Sequence, residues 1–447
     1  MKTKRRKEIP ARDAAYAVLQ KFEQEKSRLD DLLEQINLKR SISKDDRRLL
    51  KNLTSGVLRH LLYLDWMVEH FFKGNYRKTP AKNKIILRLA FYELLFIEHI
   101  PSYATLNEYV DLAKRKSSPG FARLVNGLLR TYLRQKSKPD PAKEIRDSLE
   151  KISITHSFPM WMVRRWAGFW GEAETERMCR AFNEFPQFDL VINTAKITPQ
   201  NFKQILRERD IKFEESQKFA DIIHTADIQS IAEAGLFAAG QCRVQDESAR
   251  LAVTLLDAQQ GELVLDACAA PGGKYLQLLQ TGAKPVAVDT DIQRLKKVRQ
   301  NTQRQGISKG LYVCADAREL PFKRSFDKIL VDAPCSGLGV IRKHPDIKWR
   351  RELADVAEFA LLQEEILGRT SQLLAPGGRL VYSTCTIDVL ENENVAGHFL
   401  QHHQKKLERM HIPPLLFALQ KGDYLRTFPH QHQMDGSFCA VFQKKNE

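Results

Sequence analysis

Two short stretches carry the residue types best suited to covalent chemistry. Asp332-Ala333-Pro334-Cys335-Ser336-Gly337 follows the apolar run Lys328-Ile329-Leu330-Val331, and Tyr382-Ser383-Thr384-Cys385-Thr386 ends a second β-rich run that begins at Gly378. A strand-like run closing on an acid, a rigid proline, a thiol and a glycine predicts reactive groups delivered to a loop at a strand's carboxyl end, where α/β enzymes keep their chemistry. Taken alone, residues 332–337 fit an ordinary strand-to-loop turn with a buried thiol equally well. The seven cysteines (Cys179, Cys242, Cys268, Cys314, Cys335, Cys385, Cys439) are odd in number and widely spread, with no Cys-x-x-Cys pair and no histidine at zinc-site spacing. This argues against a disulfide framework and a structural metal, so a special cysteine here is a reactive one.

A third stretch suits a ligand with phosphate-like or nucleoside character. Val264-Leu265-Asp266-Ala267-Cys268-Ala269-Ala270-Pro271-Gly272-Gly273-Lys274 reads as a strand entering a small-residue turn that opens a helix, where backbone amides can approach a ligand closely. It lacks the spacing of a Walker loop or of a Gly-x-Gly-x-x-Gly fingerprint, and a generic tight turn would look the same. The following strands add specificity. Val286-Ala287-Val288-Asp289 ends in an acid 15 residues after Lys274, placed to accept ribose hydroxyls, and Cys314-Ala315-Asp316 brings a further carboxylate near an adenine amino group.

The elements that must position these groups follow from the hydrophobic pattern. From 244 onward, strand-like runs (263–267, 285–289, 311–314, 329–332, 378–384 and a late one near 438–442) alternate with helical ones (292–305, 353–374), which predicts a mostly parallel, doubly wound sheet. Residues 145–235 mix helices with a strand-like 189–193 and read as a small α+β subdomain, its Trp161, Trp166 and Trp170 taken as core at helical spacing. Residues 10–135 read as all-helical, with stripes such as Leu49, Leu50, Leu53, Val57, Leu58 and a capping start at Ser43. The proline-containing stretch 137–141 is a linker, giving divisions at 1–138, 139–235 and 236–447. No apolar run approaches a membrane span, and the basic start has no apolar signal-peptide core, so a soluble cytoplasmic protein is expected.

The net charge of +16 is uneven: residues 1–138 hold 30 Lys and Arg against 15 Asp and Glu, which leaves the other 309 residues at +1. Such asymmetry is the footprint of a polyanion-binding module joined to a nearly neutral one. Lys4 to Lys7 fit an RNA-contacting run and a disordered arm equally well. Arg342, Lys343, His344 and Lys348, just past the first cysteine stretch, form a basic run suited to substrate phosphates, with His344 a weakly supported general base.

Several of these stretches match known families. Ile100-Pro101-Ser102-Tyr103-Ala104-Thr105-Leu106-Asn107-Glu108, with Phe121 to Arg130, resembles the end of NusB-family RNA-binding domains over roughly the first 135 residues. Residues 267–274, 332–337, Ile341-Arg342-Lys343-His344-Pro345-Asp346-Ile347-Lys348-Trp349 and 382–386 together resemble the RNA cytosine-5 methyltransferases dependent on S-adenosylmethionine. Tyr275-Leu276 departs from the threonines expected there, which touches helix packing more than chemistry. The resemblance implies an all-α NusB-like domain, a small α+β subdomain and a Rossmann-like α/β methyltransferase domain. It implies S-adenosylmethionine held by Cys268, Ala269, Ala270, Pro271, Gly272, Gly273, Lys274, Asp289, Asp316 and Asp332, without metal, in a monomer.

Carbon 5 of cytosine is a poor nucleophile, so a thiolate must first add at carbon 6. By the same resemblance Cys385 is that nucleophile, Cys335 assists breakdown of the adduct, and Asp332 orients the base at ring nitrogen 3, with the Pro334 carbonyl open to the exocyclic amine. The rival assignment, in which Cys335 attacks and Cys385 is structural, follows the DNA enzymes. The implied substrate is 16S ribosomal RNA, with the target base out of its stack; tRNA, DNA or a non-catalytic RNA-binding assembly role are the alternatives.

Overall fold

The structure, a computed structural model, describes residues 9–307 and 309–446, so the basic Lys4–Lys7 run lies outside the described residues. The chain forms two units. The first holds the residues up to Asn183 together with Lys343–Arg351; the second holds Glu184–Arg342 and the chain from Glu352 onward.

In the first unit, seven helices follow the apolar stripes: α1 (Ala11–Glu25), α2 (Leu29–Lys39), α3 (Lys44–Arg59), α4 (Leu61–Phe71), α5 (Ala81–Phe96), α6 (Ser102–Lys116) and α7 (Pro119–Arg134). Their buried faces form one core, which includes Leu50, Leu53, Val57 and Leu58 of α3. Ser43 caps α3 by accepting from the Asp46 amide, and Ser118 caps α7, whose first residue is the helix-compatible Pro119. Arg59, Arg88 and Glu93 are charged side chains buried in these helices. Glu93 is stabilised there by Arg12 at 2.7 Å, Thr105 at 2.8 Å and Tyr109 at 3.0 Å, the pairing that a buried carboxylate requires. A single turn, α8 (Pro141–Glu144), leads to α9 (Ser148–His156), α10 (Met160–Trp170) and α11 (Glu172–Asn183). Trp166 is fully buried against Phe158 and Phe182, a core role as expected.

The second unit opens with a four-stranded antiparallel sheet, order β2-β3-β1-β4, from β1 (Phe188–Ile192), β2 (Glu214–Glu215), β3 (Ile222–Thr225) and β4 (Cys242–Val244). Helices α12 (Pro199–Glu208) and α13 (Ile228–Glu233) supply Phe202, Leu206 and Ile231 to its core. His224 of β3 sits between Asp189, at 2.9 Å, and Glu247, at 3.4 Å, and Glu247 begins α14 (Glu247–Leu256).

The larger sheet runs β11-β12-β13-β9-β8-β5-β6-β7 with β10 beside β13. Its strands are β5 (Leu263–Asp266), β6 (Lys284–Asp289), β7 (Leu311–Cys314), β8 (Phe326–Asp332), β9 (Leu374–Thr384), β10 (Leu407–Arg409), β11 (Gln420–Lys421), β12 (Tyr424–Thr427) and β13 (Ser437–Lys444). Strands β5 to β9 pair in parallel, whereas β13 inserts antiparallel beside β9 and carries an antiparallel wing. The chain winds outward from β5 through β6 to β7, then crosses to β8 on the other flank. The carboxyl ends of β5 and β8 therefore form the topological switch point, where such sheets open a crevice for ligands.

Candidate active site

The turn after β5 opens α15 (Gly273–Gln280). Gly272 has a φ of +101°, and a Cβ there would lie 2.9 Å from Cγ1 of Val298 on α16 (Ile292–Arg304), so only glycine lets the turn sit against that helix. The Ala269 amide donates to the Val288 carbonyl at 2.8 Å, which ties the turn to the end of β6. Asp289 is buried at that end and faces the Ala270 amide at 3.4 Å and Arg294 at 3.4 Å. Asp316 is held in an ion pair with Arg318, which keeps its carboxyl below the usual range. The Cys268 thiol is half-buried, and desolvation together with the nearby Asp266, Asp332 and Asp289 carboxylates pushes its pKa up.

Asp266, at the tip of β5, is 0% exposed, and neither of its carboxylate oxygens has a hydrogen-bond partner among the described residues. Burial, with the charge of Asp332 adding to it, raises its pKa to about 8. An orphaned carboxylate at a switch point is complementary to a cationic ligand group.

Asp332, at the tip of β8, accepts from the Lys274 ammonium at 2.6 Å and from the Ser383 hydroxyl at 2.9 Å. Burial alone would lower the Lys274 pKa; Asp332 outweighs it and leaves it raised. The Ala333 amide donates to the Ser383 carbonyl at 2.9 Å, extending the β8–β9 ladder so that the two cysteine stretches leave adjacent strands together. Cys335 and Cys385 meet with their Sγ atoms 3.2 Å apart, Cys385 being the more exposed. The contact with Cys385, reinforced by burial, drives the Cys335 thiol well above its ordinary pKa. Gly339 clamps the far side of the loop: its amide donates to the Cys385 carbonyl at 3.0 Å, and a Cβ there would lie 1.9 Å from the Gly436 carbonyl oxygen. The Pro334 carbonyl accepts from Gln363 Nε2 at 2.8 Å.

The structure thus brings Cys335, Cys385, Asp332 and Lys274 into one cluster and sets the 268–274 turn, Asp289 and Asp316 along neighbouring strand ends. Sequence reasoning missed the supporting polar groups Ser383, Gln363, Glu391 and Asn392. The only signal for the last two was an acidic-amide run, 391–394, directly after the second cysteine stretch.

The basic run 342–348 behaves differently from expectation. Arg342 is only 7% exposed and points at the Gln433 carbonyl, 3.3 Å away, and at Asp435. Lys348 is 1% exposed and belongs to the first unit, where its amine donates to the carbonyls of Arg59 at 2.7 Å and Ser157 at 2.9 Å and to Asn183 Oδ1 at 3.2 Å. These acceptors lie at the last residue of α3, just past α9 and at the last residue of α11, and burial pushes the Lys348 pKa well below the usual lysine range. Neither side chain is available to a phosphate. His344 lies 3.3 Å from Asp30, in the same unit.

No group of three or more metal-ligating side chains occurs among the described residues, and no helix among them is long and apolar enough to cross a membrane. Family models match three segments: the NusB family at 9–134, an RsmF/B-like ferredoxin-like domain at 158–231, and 16S rRNA methyltransferase RsmB/F at 253–443. A probable ribosomal RNA small subunit methyltransferase B of Bacillus subtilis is 32% identical over 98% of this chain and 100% of its own length. Ribosomal RNA small subunit methyltransferase B of Serratia proteamaculans is 35% identical over 91% of this chain and 93% of its own. Among solved structures, PH0851 superposes with a TM-score of 0.79 at 25% identity, covering 98% of this chain and all of that one. A methyltransferase homologue from Pyrococcus horikoshii does so at 0.57 and 27% identity, covering 67% of this chain and all of that one. With full-length relatives at this identity, the chain belongs to the ribosomal RNA small subunit methyltransferase B family of S-adenosylmethionine-dependent enzymes.

Proposed function

We propose that this enzyme methylates carbon 5 of a cytosine in 16S ribosomal RNA through a covalent adduct between Cys385 and carbon 6 of the base. The observation that carries the reading is the pairing of two thiols 3.2 Å apart beside a carboxylate locked by a lysine and a serine. The residues present fit S-adenosylmethionine on one structural count, because the orphaned Asp266 carboxylate suits the cofactor's cationic amino-acid end. The remaining contacts are assigned to the 268–274 turn, Asp289 for the ribose and Asp316 for the adenine. When bound, the cofactor supplies an electrophilic methyl group.

Cys385 is the nucleophile because it is the more open thiol and leaves the strand beside Asp332. Its sulfur bonds to carbon 6, and the electron pair of the 5,6 double bond then serves carbon 5. The proton that the Cys385 thiol gives up is taken up at ring nitrogen 3, and Asp332 accepts from the resulting N–H to hold the base, with Lys274 balancing its charge. After methylation, carbon 5 must lose its proton so that the Cys385–carbon 6 bond can break and the ring double bond return. Cys335, once its own proton has passed to solvent, is the thiolate that takes this proton.

Labelled S-adenosylmethionine incubated with free 16S RNA, assembled 30S particles or tRNA tests the substrate. Label mapped to carbon 5 of a 16S cytosine is expected; transfer to tRNA alone overturns the substrate, and transfer to none overturns the activity.

A further inference from the structure

Two buried polar side chains in this unit have no part in the steps above. Glu391 and Asn392 are both 0% exposed and sit in a π-helical turn, Leu390–Asn394, directly after the Cys385 stretch. The wider turn directs two consecutive side chains inward, and π turns recur at functional sites.

Their contacts divide between the two cysteines. Glu391 Oε1 accepts from the Ser336 amide at 2.8 Å, Oε2 accepts from the Ser336 hydroxyl, and Gln363 Nε2 bridges Glu391 Oε1, at 3.1 Å, to the Pro334 carbonyl, at 2.8 Å. The Ser336 amide and the Pro334 carbonyl belong to the two peptide groups that flank Cys335, so holding both fixes the backbone of that residue. Asn392 holds the two neighbours of the other thiol, one through its side chain and one through its carbonyl. Its Oδ1 accepts from the Thr384 hydroxyl at 2.6 Å and its Nδ2 donates to the Thr386 carbonyl at 3.0 Å, one residue to either side of Cys385. Ser336 and Thr386 close the network through their hydroxyls, 2.9 Å apart. A carboxyl buried this deeply carries a desolvation cost, and its persistence here needs a return beyond packing.

We propose that the Glu391–Asn392 pair is a positioning clamp that sets the spacing of the two thiols, Glu391 holding Cys335 for adduct breakdown and Asn392 holding Cys385 for attack. The proposal rests on the reading that Cys385 attacks and Cys335 releases.

Single-turnover methylation of 16S RNA, with denaturing gels to reveal protein–RNA adduct, tests it. In Glu391→Ala, S-adenosylmethionine affinity stays within about twofold, turnover falls about 10- to 100-fold, and adduct accumulates as in Cys335→Ala. Glu391→Gln, which keeps an acceptor of the same shape, recovers most of the turnover. Asn392→Ala slows adduct formation and accumulates none. Should Glu391→Ala lose cofactor binding through misfolding, Gln363→Ala, which leaves the Ser336–Glu391 contacts in place but frees the Pro334 carbonyl, Glu391 Oε1 and the Tyr382 hydroxyl from Gln363, carries the same expectation of trapped adduct. Turnover near wild type in Glu391→Ala, or slow turnover without adduct while Cys335→Ala does trap it, overturns the clamp alone. Absence of adduct in Cys335→Ala overturns the assignment of the cysteines and the clamp with it.

Discussion

Residues 332–337 and 341–349 are near neighbours in the chain, and both are rich in side chains that do chemistry, yet they are used in opposite ways. The first keeps its reactive atoms open: Cys335 Sγ faces Cys385 Sγ, and Asp332 is oriented by Lys274 and Ser383. The second closes its charged atoms away. Lys348 spends its donors on main-chain carbonyls and an asparagine, Trp349 Nε1 donates to the Leu58 carbonyl at 2.6 Å, and Asp346 sits at the amino end of α2 with Arg350 as its ion partner. A charged side chain serves catalysis where a ligand can still reach it, and serves architecture where the chain has already satisfied it.

Substitutions can break this contrast. The largest effect is expected from Cys385→Ala, which should lower methylation by at least about 10⁴-fold and form no adduct. A trapped adduct in that variant would transfer the attack to Cys335. Asp332→Asn keeps the shape but loses the charge facing Lys274, and methyl transfer should fall about 10²- to 10³-fold, measured at saturating cofactor and RNA. Lys348→Ala should act on stability instead, costing about 2–4 kcal/mol because three acceptors lose their donor, while the folded fraction keeps its RNA affinity. Weak RNA binding with unchanged stability would return Lys348 to the phosphate contacts first expected of it. Asp266→Asn should weaken S-adenosylmethionine binding roughly 10-fold by calorimetry, since the neutral amide cannot ionise to meet the cofactor's cationic end.

The smallest effect is a pH slope. Burial raises the Glu391 pKa from the usual carboxyl value to about 7. Between those two values the folded chain holds a proton that the unfolded chain has released, so this group's contribution to stability declines as pH rises through the window. Wild type minus Glu391→Gln should show that decline, on the order of 1 kcal/mol, in urea melts from pH 4.5 to 7.5. A flat difference would mean that Glu391 is ionised at no cost.

Much of this was legible in the sequence for physical reasons. Strand ends at Asp266, Asp289, Cys314, Asp332 and Thr384 could be read because β-branched runs stop at small residues and acids, and the reactive groups stand at those stops. The helical stripe of α3 was equally plain. The start of β9 was not: it begins at Leu374, and Gly377-Gly378 disguised its first turn of pairing as a loop. The role of Lys348 was hidden for a different reason, since its partners lie at Arg59, Ser157 and Asn183, and a lysine written among basic residues looks the same whether solvated or enclosed. Glu391 likewise stands in a run of charged and amide residues that suggests an exposed turn, and only the π-helical backbone turns it inward.

The insertion of Lys343–Arg351 into the first unit also orders events in time. A ribosome making this chain releases residues up to Asn183 first, but the segment that braces the ends of α3 and α9 follows only after the 159 residues from Glu184 to Arg342 have emerged. Until then the amino-terminal unit waits with carbonyls open to water. A fragment ending at 183 should therefore be marginal when expressed alone, and recover when a peptide spanning 343–351 is supplied in trans.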